Sequence, residues 1–145
     1  MAFERIVIGT DGSAGAAKAM AWCASLAAGL GAEVIAVRAY SPLDELATTR
    51  GVDLATLAER AAARLHDEWC APLAAAGVTY RSHLVEDLPV DCLVRTATEE
   101  DADLIVIGSH GETGWRERIL GRVASGLPHH APCPIAIVPH GDPDA

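Results

Sequence analysis

Lysine and aromatic residues are scarce in this 145-residue chain: Lys18 is the single lysine among 11 basic residues, and six aromatics make up 4% of the sequence. A core with so few rings is built from aliphatic side chains and alanines, the composition of layered α/β domains. Basic charge is also short, with 11 Lys and Arg against 20 Asp and Glu and a net charge of −9. That balance excludes a sequence-independent nucleic-acid binder, which needs a basic face to displace counterions. No hydrophobic run is long enough to cross a bilayer, the longest being 19–31. Glu4 and Asp11 precede it where an export signal carries basic residues, so a cytoplasmic protein without membrane attachment is expected. Cys23, Cys70, Cys92 and Cys133 stand far apart, without a C-x-x-C pair or a histidine at zinc-site spacing. Reduced, mostly buried thiols are expected, with no metal site.

What is present alternates. Arg5–Thr10 reads as a buried strand ending in the turn residues Asp11-Gly12-Ser13. Ser13 then caps a helix with apolar spacing at Ala17, Met20, Ala21, Ala24 and Ala28, stopped by Gly29 and Gly31. Glu33–Tyr40 is a second strand. Asp53 caps a long helix with a stripe of Leu54, Leu57, Ala61, Leu65, Trp69 and Leu73 that Gly77 ends. Val78–Val85, Asp103–Gly108 and Pro134–Val138 are further strands, with a short helix from Pro89 to Glu100. Gly126 and Pro128 predict a short or kinked last helix. Five strands joined by helical crossovers imply one α/β three-layer sandwich with a parallel five-stranded sheet, spanning 1–140, and a loose tail at 141–145.

In such a sheet, ligands bind beyond the carboxyl ends of the strands. Two ends carry suitable residues. One is Gly9-Thr10-Asp11-Gly12-Ser13; the other is Gly108-Ser109-His110-Gly111, followed by Gly121-Arg122-Val123-Ala124 at the start of the last helix. Glycines let backbone N–H groups converge on an anion, and a helix N-terminus adds unpaired donors. The competing readings are that the glycines only make turns, that Asp11 only caps one, and that His110 is a solvated loop residue. A cluster of His129, His130, Cys133 and His140 is broken by Pro132 and Pro134 and is not expected to bind metal.

Gly108-x2-Gly111-x9-Gly121, with IVIGTDGS near the start, ADLIVIGSHG before the loop and HAPCPIAIVP at the end, resembles the nucleotide-binding members of the universal stress protein family, the UspA-like proteins. The resemblance covers nearly the whole chain and implies a Rossmann-like sheet of the adenine nucleotide alpha hydrolase type. It implies that Thr10 and Asp11 lie beside adenosine and that Ala39 lines the adenine pocket. Gly108, Ser109, His110 and Gly111 would wrap the ribose and α-phosphate, and Gly121 with the amides of Arg122 and Val123 would hold the outer phosphates. ATP, ADP or AMP is the implied ligand, with Mg²⁺ as the implied companion of the phosphates, and a homodimer paired through the last strand the implied assembly.

The family pattern Gly-Ser-Val-Ser/Thr is here Gly121-Arg122-Val123-Ala124, which removes two hydroxyl donors. Three roles for Arg122 are open: clamp on phosphate, obstruction of the γ-phosphate position, or solvated surface residue. The leading expectation is a stress-response module that binds an adenine nucleotide and is not an enzyme. The alternative is a dimeric interaction scaffold that has lost the nucleotide, and a slow ATPase is weaker still, since no P-loop or nucleophile elbow is present. A phosphoacceptor receiver domain is rejected because no lysine follows the fifth strand.

Overall fold

The computed structural model describes residues 2–40, 53–109 and 121–140. Its strands are β1 (Arg5–Gly9), β2 (Glu33–Ala39), β3 (Tyr80–Val85), β4 (Leu104–Gly108) and β5 (Ile135–Val138). They form one parallel sheet in the order β3-β2-β1-β4-β5. The helices are α1 (Ala14–Leu30), α2 (Leu54–Arg64), α3 (Ala71–Ala75), α4 (Pro89–Glu99) and α5 (Arg122–Gly126). The three-layer α/β architecture is therefore the one the sequence implies.

Helices cover both faces, which is why Ile6, Val7, Ile8, Ile105 and Val106 are fully buried runs rather than alternating ones. One core lies between the sheet and α1 with α3, and contains Ile6, Ile8, Met20, Cys23, Cys70 and Leu73. The other lies beneath α4 and α5, and contains Val7, Ile35, Leu93, Ile105 and Leu127. Alanines at 16, 19, 24 and 27 are the buried face of α1 and let it approach the sheet closely. Burial pushes the Cys23 thiol up to about 12 and Cys70 to about 11, so both are inert apolar fillers near neutral pH. Cys92 is also buried and Cys133 half-buried.

Ser13 and Asp53 cap α1 and α2 through Ala16 N and Thr56 N, as expected. The long second helix is not continuous. It passes through a π turn at Leu65–Trp69 and restarts as α3 after Cys70. Pro72 explains the break, because it lacks an N–H and its ring excludes the carbonyl of the preceding turn. Leu54, assigned to the apolar stripe, is 48% exposed, while Leu57, Ala61, Leu65 and Leu73 are buried. The last helix is short, as Gly126 and Pro128 predict: α5 has five residues and tightens into a 3-10 turn at Leu127–His129. His129 and His130 are exposed. Strand ends differ from the sequence reading by one or two residues: Thr10, Tyr40, Val78, Thr79, Asp103 and Pro134 lie outside the strands. Asp103 instead accepts the N–H groups of Glu4 at 2.9 Å and Arg5 at 3.1 Å, tying the start of β4 to that of β1. The tail at 141–145 lies outside the described residues.

Candidate functional site

The chain runs outward from β1 to β2 and β3, then returns to β4 on the other side of β1. The strand order thus reverses between β1 and β4, and their carboxyl ends flank the crevice where a parallel sheet takes its ligand. After β1, Thr10 N donates to Val37 O at 3.1 Å, continuing the pairing with β2. Thr10 Oγ1 accepts Gly12 N at 3.3 Å, and Asp11 Oδ1 accepts Ser13 N at 2.9 Å. Asp11 therefore does shape the turn, with one carboxylate oxygen used for it. Gly12 takes φ 76°, the left-handed region that glycine enters without strain.

After β4, the backbone comes close to α1. A Cβ on Gly108 would lie 3.0 Å from Gly15 O and 3.2 Å from Gly15 C, so any larger residue would push the two backbones apart. Ser109 is 6% exposed and binds strand ends together. Its N–H donates to Val138 O at 2.9 Å, its hydroxyl accepts His140 N at 3.1 Å, and its carbonyl accepts Gly121 N at 2.8 Å. Lys18 Nζ donates to His140 O at 2.9 Å on the same side.

The Ser109–Gly121 bond places the start of α5 at the end of β4. Ser125 N is the first amide to bond within the helix, to Gly121 O, so the N–H groups of Arg122, Val123 and Ala124 are not used by it. Gly121 offers no side-chain cap. Arg122 is exposed, Val123 half-buried, and Ala124 buried in the core beneath α4 and α5. Ala39 packs on that same face. The structure thus gathers Thr10, Asp11, Ala39, Gly108, Ser109, Gly121, Arg122 and Val123 at one end of the sheet. His110 and Gly111 lie outside the described residues.

Two residues here escaped the sequence reading. The Tyr40 hydroxyl, at the end of β2, is buried with no hydrogen-bond partner among the described residues. The Trp69 indole lies directly on Gly12: a Cβ there would be 2.2 Å from Cζ2. No spacing signal links positions 12 and 69.

A cavity of about 610 Å³ lies at the opposite, amino ends of β1 and β2, lined by Glu4, Arg5, Gly31, Glu33 and Gly77 among others. It sits beside the C-termini of α1 and α3, whose dipoles are negative and whose carbonyls, not amides, face outward, while Arg5 stands beside Glu4 and Arg81 pairs with Glu33 at 2.7 Å. It does not suit a phosphate. Among the described residues, no group of three His, Cys, Asp or Glu side chains is placed to hold a metal, and no helix is long and apolar enough to cross a membrane.

The sequence model of the universal stress protein family matches residues 2–139. The chain belongs to that family. This universal stress protein is 32% identical over 144 residues to Rv1636 of Mycobacterium tuberculosis, covering 94% of this chain and 97% of that one. It is 28% identical over 150 residues to MJ0531 of Methanocaldococcus jannaschii, covering 94% and 82%. Both relatives are universal stress proteins. Among solved structures, a universal stress protein in complex with cAMP aligns with TM-score 0.75 and 29% identity, covering 97% of this chain and all of that one. The protein MJ0577 aligns at TM-score 0.83 and 22% identity, which attests the fold.

Proposed function

We propose that this universal stress protein binds an adenine nucleotide at the carboxyl ends of β1 and β4 and acts as a stress-response module. The observation that carries the reading is the Gly108 backbone held against Gly15, with the amides of Arg122 and Val123, which take no partner among the described residues, beside it through the Ser109–Gly121 bond. Backbone amides recognise phosphate whatever the side chains are. A structural relative of 29% identity that holds cAMP supports the same ligand class.

In this reading Thr10, Asp11 and Ala39 meet adenosine. Asp11 keeps Oδ2 for the base or ribose while Oδ1 holds the turn. Gly108, Ser109, His110 and Gly111 surround the ribose and α-phosphate. Gly121, Arg122 and Val123 meet the outer phosphates of ATP, with Mg²⁺ accompanying a triphosphate. The guanidinium of Arg122 replaces the two missing hydroxyls with a full charge. Binding rather than turnover is the proposed activity, in the cytoplasm. β5 is an apolar edge strand, and pairing with its twin in a second copy would cover that edge.

Denaturing freshly purified protein and identifying the released nucleotide by mass spectrometry tests this. ADP, ATP, AMP or cAMP in stoichiometric amount supports it. A protein that releases none, and gives no heat when titrated with millimolar ATP and Mg²⁺, is an interaction scaffold instead. Sedimentation at micromolar concentration tests the dimer, and a monomer there contradicts it.

A further inference from the structure

Trp69 touches both chain segments that carry the adenosine half of the proposed site. Its indole covers Gly12 so closely that Cζ2, Cε2 and Cη2 would be 2.2, 2.5 and 2.7 Å from a Cβ added there. Gly12 lies between Asp11 and Ser13, and its N–H is held by Thr10 Oγ1. The Arg38 guanidinium, one residue before Ala39, stands 4.9 Å from the centre of the same ring. The Arg64 guanidinium lies 5.7 Å away on the same indole. Both distances are within the range of cation–π attraction.

The position of this ring has a local cause. Trp69 closes the π turn that begins at Leu65, and the wider turn rotates the residues after it relative to α2. Trp69 is thereby half-buried against the core under α1. The indole lies against the left-handed turn at Gly12, while Thr10 N ties the start of the same loop to Val37 O at 3.1 Å.

Building on the nucleotide reading above, we propose that Trp69 is a positioning residue for adenine recognition, joining the loop that carries Asp11 to the end of β2 that carries Ala39. Gly12 and Arg38, which it meets, belong to the two segments on the adenosine side of that site. Its influence therefore falls on the base and not on the phosphates.

The test is calorimetric titration of wild type, Trp69→Phe and Trp69→Ala with ATP, GTP, AMP and inorganic tripolyphosphate, with thermal unfolding as a folding control. Trp69→Ala is expected to weaken AMP and ATP by the same factor, about tenfold, the scale of one lost charged hydrogen bond. The preference for ATP over GTP shrinks accordingly, tripolyphosphate is unaffected, and Trp69→Phe recovers most of the loss. A variant that melts earlier but keeps the wild-type ATP-to-GTP ratio overturns the proposal, because a purely structural role leaves that ratio alone. If Trp69→Ala does not fold, Trp69→Leu removes the ring while keeping apolar volume, and the same ratio is read. A third measurement uses Trp22→Phe/Trp115→Phe protein, in which Trp69 is the sole indole: its emission changes on AMP binding. Unchanged emission with AMP bound also overturns the proposal. Wild type that binds no adenine nucleotide overturns both this and the reading it rests on, whereas a binding wild type with an indifferent Trp69 overturns this alone.

Discussion

The carbonyl of Ser109 accepts the N–H of Gly121 at 2.8 Å, so the chain that leaves β4 is brought back to the end of that same strand before α5 begins. The amides at the start of α5 are therefore set by the backbone and not by the side chains at 122 and 124. Arg122 adds charge to a place already built. Its replacement, Arg122→Ser, is expected to lower ATP affinity about three- to tenfold, AMP affinity less, and to lose its effect as salt is raised. Calorimetry at two ionic strengths checks this, and tighter ATP binding by the variant shows that the side chain obstructs.

Gly108→Ala places a methyl 3.0 Å from a backbone oxygen that cannot rotate away. Overpacking of this kind costs about 1–3 kcal/mol. The variant is expected to unfold at lower urea concentration and, once folded, to bind ATP more weakly, because β4 and α1 are pushed apart at the crevice. Gly9→Ala meets only the flexible side chain of Leu93 and is expected to cost less.

The buried Tyr40 hydroxyl lacks a hydrogen-bond partner among the described residues. Burying an unsatisfied hydroxyl costs about 1–3 kcal/mol. Tyr40→Phe is therefore expected to leave the protein as stable as wild type or to raise its unfolding free energy. A clear loss of stability in urea unfolding contradicts this.

Acid weakens the fold through three carboxylates. The Arg81 guanidinium holds Glu100 below its ordinary value, the N–H groups of Glu4 and Arg5 do so for Asp103, and Thr56 N–H does so for Asp53. Each is ionised more readily in the folded chain than in the unfolded one. Their stabilisation is present above the ordinary carboxylate range, about pH 4, and is lost as pH falls through and below it. Thermal unfolding from about pH 7 to pH 3 is expected to show a declining midpoint over the lowest unit, and Asp103→Ala to lower the midpoint at pH 7 and flatten that decline.

Much of the fold was legible because buried parallel strands are short apolar runs between turn residues, as Arg5–Gly9 and Leu104–Gly108 show. The caps at Ser13 and Asp53 announced themselves by residue type, and Gly126 with Pro128 announced a short α5. Pro72 gave equally good local warning of the break before α3, but the long apolar stripe masked it. The residues proposed for the site came from the family resemblance, and the fold brings Thr10, Asp11, Ala39, Gly108, Ser109 and Gly121 to one end of the sheet. Trp69 was not legible, since it meets Gly12 through tertiary packing across 57 positions, and no local period encodes such a contact. The dual use of Ser109 in joining β4 to both His140 and Gly121 was hidden for the same reason.

An adenine nucleotide is expected at the carboxyl end of the sheet and not in the cavity at its amino end. Titrating isotopically labelled protein with ATP and Mg²⁺ and following backbone amide resonances tests it most directly. Amides of Thr10 to Gly12, Ala39, Gly108 and Gly121 to Val123 are expected to shift and saturate together, while those of Glu4, Gly31 and Gly77 stay in place. Shifts confined to the amino-end cavity, or none at millimolar ATP, would contradict it.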